Sequence, residues 1–382
     1  MKLNLSDICE YAKGKIAVAD LNEDCYISTE NMLPNKSGIT SATSLPKTSQ
    51  TQSFQAGDIL VSNIRPYFKK IWFAEFDGGC SNDVLVFRAK KGISSSYLYY
   101  VLANDEFFDY AMKTSNGTKM PRGDKKAIMK YEVEQMDFDT QQKSAVTLRS
   151  IDQKIALNTA INENLEQQAQ AIFKSWFVDF EPFGGVMPDD WKTSHLLSVA
   201  NYLNGLAMQK YRPIDGEIGL PVLKIKELRQ GFCDSNSELC SPSIKSEYII
   251  QNGDVIFSWS GSLLVDFWCG GQCGLNQHLF KVTSNTYDKW FYFVWTKYHL
   301  NRFIAIAADM ATTMGHIKRS ELEKSQVFIP NKADYKIIGS LLKPIYDTII
   351  NNRIENQRLA ALRDTLLPKL MNGEIDVSKV RI

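Results

Sequence analysis

The sequence predicts an α+β protein: two duplicated globular bodies separated by two long helices that form an antiparallel coiled coil. Three observations carry this. Residues Gln141–Phe180 contain neither Gly nor Pro and place Leu148, Ile151, Ile155, Asn158, Asn162, Leu165, Ala169, Ile172 and Trp176 at alternating spacings of three and four, the seam of a helix lying along a partner helix. A second such run, Asp334–Met371, stops at Asn372-Gly373. The segments flanking the first run also repeat one another in element order at an offset of about 195 residues.

In chain order, residues 1–138 form the first body. Leu45–Gln55 reads as a polar loop. Gly57-Asp58 turns into a strand at Ile59-Leu60-Val61, and Ile71–Ala74 and Val84–Phe87 read as further strands. Ser96–Met112 predicts an aromatic-rich helix, followed by a loop from Lys113 to Arg122. Residues 139–183 are the central helix. At 1.5 Å per residue it is a rod of roughly 57 Å, ended by Pro182, Gly184 and Gly185.

Residues 184–331 repeat the plan. Gly253-Asp254 leads into Val255-Ile256-Phe257, and Asn276 answers Asn82. Tyr287–Ala308 is the second aromatic-rich helix, and Ala311–Arg319 is the loop after it. Residues 332–382 hold the distal helix and a tail. Its expected seam is Ile338, Leu341, Ile345, Thr348, Asn352, Glu355, Leu359, Leu362 and Leu366, with Pro344 expected to kink it or delay its effective start. The polar residues at mid-length, Asn158 and Asn162 in one helix and Asn352 and Glu355 in the other, meet if the helices run antiparallel, which fixes register at some expense in stability.

Composition narrows the function. Apolar residues make up 44% and charged residues 23%, enough for a core, and a net charge of +1 means that any nucleic-acid surface is local. Seven irregularly spaced cysteines without a signal peptide indicate reduced thiols in a cytoplasm, and no apolar run is long enough for a membrane span. No phosphate-binding Gly-rich loop with Lys-Ser/Thr, no H-E-x-x-H, no G-x-S-x-G and no methyl-donor motif is present. No catalytic residue, cofactor site or metal site is therefore assigned. Asp189-Asp190 reads as a solvated turn. Cys269, Cys273 and His278, with Cys233 or Cys240 as a fourth ligand, match no standard zinc spacing, and buried thiols are the expectation.

The two loops after the aromatic helices are the candidate binding sites, because cations hold phosphates while amides and hydroxyls read base edges. In the first body the candidates are Asn63, Arg65, Tyr67 and Lys69 together with Lys113, Thr118, Lys119 and Arg122, with Lys125, Lys126 and Lys130 close by. In the second they are Asn204, Lys210, Trp259, Ser260, Ser262, Thr312, Thr313, His316, Lys318 and Arg319. A freestanding DNA-acting enzyme with an unrecognised site and a coiled-coil scaffold without DNA readout are the competing readings.

The run LEQQAQAIFKSWFVDFEPF (Leu165–Phe183) and the terminal run LAALRDTLLPKLMNGEI (Leu359–Ile375) resemble the two characteristic helical regions of Type I restriction–modification specificity subunits, and Asn201–Gly205 and Gly219–Lys226 fit the same family. The resemblance implies two target-recognition domains, each reading half of a bipartite double-stranded DNA site, with the helix pair setting the gap. It also implies a subunit without catalysis of its own. Two methyltransferase subunits using S-adenosylmethionine would be its partners, joined in the full complex by two restriction subunits using ATP and Mg. Gln167, Gln168, Gln170 and Lys174 are expected on the outer, solvent- or partner-facing side of the central helix.

Overall fold

The computed structural model describes residues 1–309 and 315–380. The chain divides into two compact units, Met1–Gln153 with Leu359–Ile382, and Lys154–Arg358. The central helix (Phe138–Phe173) and the distal helix (Lys332–Met371) each contribute one end to each unit.

In the first unit, an antiparallel sheet runs in the order Cys9–Tyr11, Val84–Ala89, Ile59–Ser62, Ile71–Phe73. Strand periodicity sends alternate residues to opposite faces. Ile59, Val61, Leu85 and Phe87 pack with the helices Ser95–Ala103 and Asp105–Lys113. Leu60, Val84 and Val86 join Trp72 and Phe54 in a second cluster towards a smaller sheet. Both faces are covered, so these strands read as continuous apolar runs. The smaller sheet has the order Lys15–Ala17, Gln50–Phe54, Gly78–Cys80, Tyr26–Ile27. A side chain at Gly78 would place its Cβ 2.3 Å from the Cys25 carbonyl, so only glycine fits there. The strand Gln50–Phe54 corrects the expected loop: Thr51 and Phe54 are buried and its backbone pairs with both Lys15–Ala17 and Gly78–Cys80.

The second unit has the same series. Its main sheet is Asn201–Asn204, Leu279–Thr283, Val255–Ser258, Leu264–Phe267, all antiparallel. Val255, Phe257, Phe280 and Val282 face an aromatic core that includes Trp290, Phe291, Phe293 and Trp295, while Ile256 and Leu279 face Trp268, Cys273 and Leu275. In each unit the expected aromatic-rich helix is two helices. Asn104 has extended backbone and caps the second by accepting from the Glu106 amide at 3.3 Å; in the other unit Lys289–Tyr298 ends at His299 before Leu300–Asp309.

The two long helices are antiparallel within each unit. In the second unit Asn158 Nδ2 donates to Glu355 Oε2 at 2.7 Å and to Asn356 Oδ1 at 2.9 Å, while Asn352 Nδ2 donates to Asn162 Oδ1 at 2.9 Å. The polar mid-length groups thus meet as expected. In the first unit Arg363 pairs with Asp152 at 2.9 Å, and Ala145 and Leu148 share a core with Leu367, Leu370 and Met371.

The expected seam of the distal helix is displaced. Ile338, Leu342, Tyr346 and Ile349 are buried, whereas Leu341, Thr348 and Leu362 are exposed. The cause is packing against a globular core: residues 338–350 share a cluster with Phe267, Trp290 and Phe293, so the helix turns a broader face inward than a two-helix seam requires. Pro344 does not delay the start either, since the helix begins at Lys332. The central helix changes to a wider π turn at Lys174–Val178, which helps carry Phe177 into the aromatic core before Phe180, with left-handed backbone (φ 51°), ends it. Gln167, Gln168, Gln170 and Lys174 are exposed. Among the described residues no helix is long and apolar enough to cross a membrane.

Candidate nucleic-acid interface

Each unit holds its two candidate loops together by one backbone pattern. In the first unit the chain leaves the strand Ile59–Ser62 and enters Asn63-Ile64-Arg65. The Asn63 amide donates to Asp83 O at 2.8 Å, the Arg65 amide to Pro121 O at 2.8 Å, and the Gly123 amide to Asn63 O at 3.2 Å. Ser62 Oγ donates to Ile64 O at 3.1 Å. In the second unit Trp259 N donates to His278 O at 3.4 Å, Gly261 N to Gly315 O at 2.9 Å, Ile317 N to Trp259 O at 3.1 Å, and Ser258 Oγ to Ser260 O at 3.2 Å. Ile64 bridges Arg122 as Ser260 bridges His316. These four bonds pair Asn63 with Trp259, Ile64 with Ser260, Arg65 with Gly261 and Arg122 with His316. The turn before the second sheet strand matches best one residue further on: Val84 N to Ser81 O corresponds to Leu279 N to Asn276 O, which sets Asn276 against Ser81 and not Asn82.

The side chains differ. In the first unit, Tyr67 and Phe68 are 48% and 38% exposed on a short turn, with ring centroids 4.6 Å apart. Lys69 Nζ lies 2.8 Å from Asp105 and Lys36 Nζ 2.7 Å from its other oxygen. Burial disfavours the charged Asp105 carboxylate, but the hydrogen bonds and charges of Lys36 and Lys69 outweigh it and hold the group below the usual aspartate range. Arg122 is exposed, with a guanidinium nitrogen 3.1 Å from Asp83. Its backbone pairs with Asn116, closing the loop that exposes Thr118, Lys119 and Met120. Lys113 is exposed at the end of its helix; Lys113, Lys119, Lys125, Lys126 and Lys130 carry no ion pair among the described residues.

In the second unit the cluster is aromatic and polar. Trp259 Nε1 donates to Asn204 Oδ1 at 3.0 Å, and its ring lies 6.2 Å from His278 and 6.3 Å from His316. Ser260 Oγ is 3.0 Å from His278 Nδ1, and the Ser262 carbonyl accepts from Ser258 Oγ at 2.9 Å. Asn204, Trp259, Ser260 and His316 are therefore brought together. Lys318 is exposed and Arg319 donates to Tyr202 O at 3.4 Å. Thr312 and Thr313 lie outside the described residues. Lys210 lies in a different group, lining a groove of about 420 Å³ with Tyr211, Arg212, Lys245 and Tyr248.

Sequence reading missed His278, Lys36 and Asp105 as members of these clusters. His278 had a signal, its place in the run from Asn276 to Phe280 that recurs in both halves. Lys36 and Asp105 had none, because they are 69 residues apart and meet only in the fold. The zinc candidates do not form one ligand set: Cys269 lies in the aromatic core and His278 beside Trp259, while Cys273 and Cys233 share the cluster under Trp268, and no metal-binding group of three His, Cys, Asp or Glu occurs among the described residues.

The profile of the Type I restriction modification DNA specificity domain matches the chain twice, over residues 1–167 and 188–361. The chain belongs to this family. Among its relatives, the Type I restriction enzyme MjaIX specificity subunit of Methanocaldococcus jannaschii is 27% identical over 76% of this chain and 71% of its own length. The HindI specificity subunit of Haemophilus influenzae is 25% identical over 97% of this chain and 100% of its own length. The crystal structure of the Type I restriction-modification S subunit from M. genitalium has the same fold, with a TM-score of 0.60 at 12% identity over 97% of this chain and 96% of that one. The two matched specificity domains coincide with the two copies of the loop-joining pattern, one in each.

Proposed function

We propose that this chain is the DNA-reading subunit of a Type I restriction–modification complex, acting in the cytoplasm without catalysis of its own. Each specificity domain reads one half of a bipartite, asymmetric site on double-stranded DNA. The central and distal helices set the gap between the halves. Their outer faces recruit two methyltransferase subunits and, in the full complex, two restriction subunits. S-adenosylmethionine, ATP and Mg belong to those partners.

The observation that supports this reading is the repeated backbone pattern carrying unlike side chains. A conserved geometry with Arg65, Tyr67 and Lys119 at one copy and Trp259, Asn204 and His316 at the other suits two readers of two different sequences. The free lysines around the first loop supply phosphate contacts, while the net charge of +1 leaves much of the phosphate grip to the partners.

The test is methylome sequencing of a host carrying this chain with its methyltransferase partner. Exchanging residues 1–138 for those of another family member should change one half-site and leave the other intact. Adding or removing one turn of the helices should change the gap alone. If both halves change, or neither does, the modular reading fails; DNA modification by the purified chain alone would favour an enzyme.

A further inference from the structure

Four of the five non-glycine residues with left-handed backbone among the described residues lie in one place: Asn35 (φ 57°), Lys36 (φ 61°), Arg65 (φ 51°) and Lys69 (φ 51°). Arg65 and Lys69 flank the turn Pro66–Phe68. The loop of Asn35 and Lys36 bonds to that turn, Asn35 N to Phe68 O at 2.8 Å and Lys36 N to Lys69 O at 2.9 Å. Side chains resist this conformation, and it persists where something else holds them there. Three of the four have a visible reason. Asparagine tolerates the left-handed region, and Lys36 and Lys69 both grip Asp105.

Arg65 has no such reason. The second unit makes the same turn with Gly261 (φ 64°), whose amide donates to Gly315 O as the Arg65 amide donates to Pro121 O. The backbone therefore asks for glycine at this position. The Arg65 side chain makes no hydrogen bond or ion pair among the described residues, and its Nε is out of contact with solvent and has no partner. The residue as a whole is partly exposed beside Tyr67 and the loop containing Met120. A strained, partly desolvated guanidinium with unmade hydrogen bonds is poised for a ligand outside the chain.

We infer that Arg65 is a specificity-determining residue that reads a guanine in the half-site of the first unit, its terminal nitrogens donating side by side to O6 and N7 in the major groove. With Nε enclosed, the terminal fork is the free end, and its planar pair of donors matches that guanine edge. Phosphates are better served by the unpaired lysines around it. The inference rests on the proposed role of the first unit as a DNA reader.

The experiment compares wild type, R65G and R65K as full chains assembled with the methyltransferase subunit. Binding is measured at fixed salt to a duplex carrying the mapped site, to a scrambled duplex, and to duplexes with each guanine of the half-site replaced in turn by 7-deazaguanine. R65G should lose roughly 10- to 100-fold in specific affinity. It should keep its affinity for the scrambled duplex within about twofold, because no phosphate contact is removed. Its thermal unfolding midpoint should equal or exceed that of wild type, since glycine fits the turn. One 7-deazaguanine should weaken wild type and leave R65G unaffected; R65K, lacking the fork, should also lose specific affinity. Unchanged site preference in R65G overturns the inference. So does equal loss on both duplexes, which marks a phosphate contact, and so does a lowered midpoint, which marks a structural role. A wild-type complex with no preference for any site removes the parent reading as well, whereas a selective wild type with an equally selective R65G removes only the role of Arg65.

Discussion

The two units solve one folding problem with the same backbone and different chemistry. Each has a main antiparallel sheet of four strands and a smaller sheet whose central strand has one parallel and one antiparallel neighbour. They diverge in where the fourth strand is added. In the first unit Lys15–Ala17 extends the small sheet beyond its antiparallel strand, Gln50–Phe54; in the second Leu239–Cys240 extends it beyond its parallel strand, Leu220–Leu223. They diverge again at the loops, where Arg65 stands against Gly261 and Asn63 against Trp259. Buried strands and backbone bonds are shared because they decide whether a unit folds. Sheet edges and loop side chains are free to differ because folding does not depend on them.

The largest expected effects lie where the long helices meet each unit. Arg353 donates to Asp266 at 2.7 Å and Glu166 at 2.8 Å in the second unit. Arg363 donates to Asp152 at 2.9 Å in the first, where Asp152 also accepts from Tyr100 at 2.7 Å. Replacing Arg353 by Ala leaves two facing carboxylates and should destabilise the second unit by about 2–3 kcal/mol, less than for a fully buried pair because water reaches all three groups. R363A should cost about 1–2 kcal/mol, since Tyr100 still satisfies Asp152. Urea unfolding separates the two: six of the seven tryptophans lie in residues 154–358, so fluorescence reports the second unit while circular dichroism reports both. A larger loss in R363A than in R353A would reverse the comparison.

The next effect is at the loop junctions. Ser258 Oγ reaches both the Ser260 and Ser262 carbonyls and is fully buried, whereas Ser62 Oγ reaches only Ile64. S258A should cost about 1–2 kcal/mol and S62A about 1 kcal/mol by the same measurement.

The smallest concerns Asp105. Its carboxyl is held below the unfolded value by Lys36 and Lys69, so the stabilisation is present above pH of about 4 and is lost as pH falls through the lower folded value. D105N should therefore cost about 0.5–1 kcal/mol at neutral pH and nothing once the wild-type carboxyl is protonated. It also frees two lysines, so the salt dependence of non-specific DNA binding should steepen by up to about two phosphate contacts. An unchanged slope would mean that Lys36 and Lys69 face away from the DNA.

Much of the architecture was legible from periodicity. The apolar strand runs Ile59–Val61 and Val255–Phe257, each after a Gly-Asp turn, the two Gly- and Pro-poor helical runs and the offset of about 195 residues are local or repetitive signals that need no tertiary information. The polar mid-length pairing of Asn158 and Asn162 with Asn352 and Glu355 followed from symmetry, whereas Asn356, which also accepts from Asn158, emerged only in the structure. What periodicity could not show was the partner of each helix face. Leu341 and Leu362 fit a two-helix seam yet are 41% and 48% exposed, because the helix turns Leu342 into the second core and, further on, Leu367, Leu370 and Met371 into the first, while Arg363 beside Leu362 pairs with Asp152. At the loops, spacing identified the segments but not the state of each side chain. Lys69 and Arg122 read as free cations and are paired with Asp105 and Asp83.

The sequence by itself determined the duplication, the two long helices, the family and the segments worth inspecting, because those depend on residue order along one chain. The tertiary structure alone decided which helix faces are buried, which cations are already neutralised, and that Arg65 occupies a turn its counterpart fills with Gly261. Those facts depend on atoms brought together across many residues of chain, where hydrogen bonding, charge and burial are settled by contact and not by spacing.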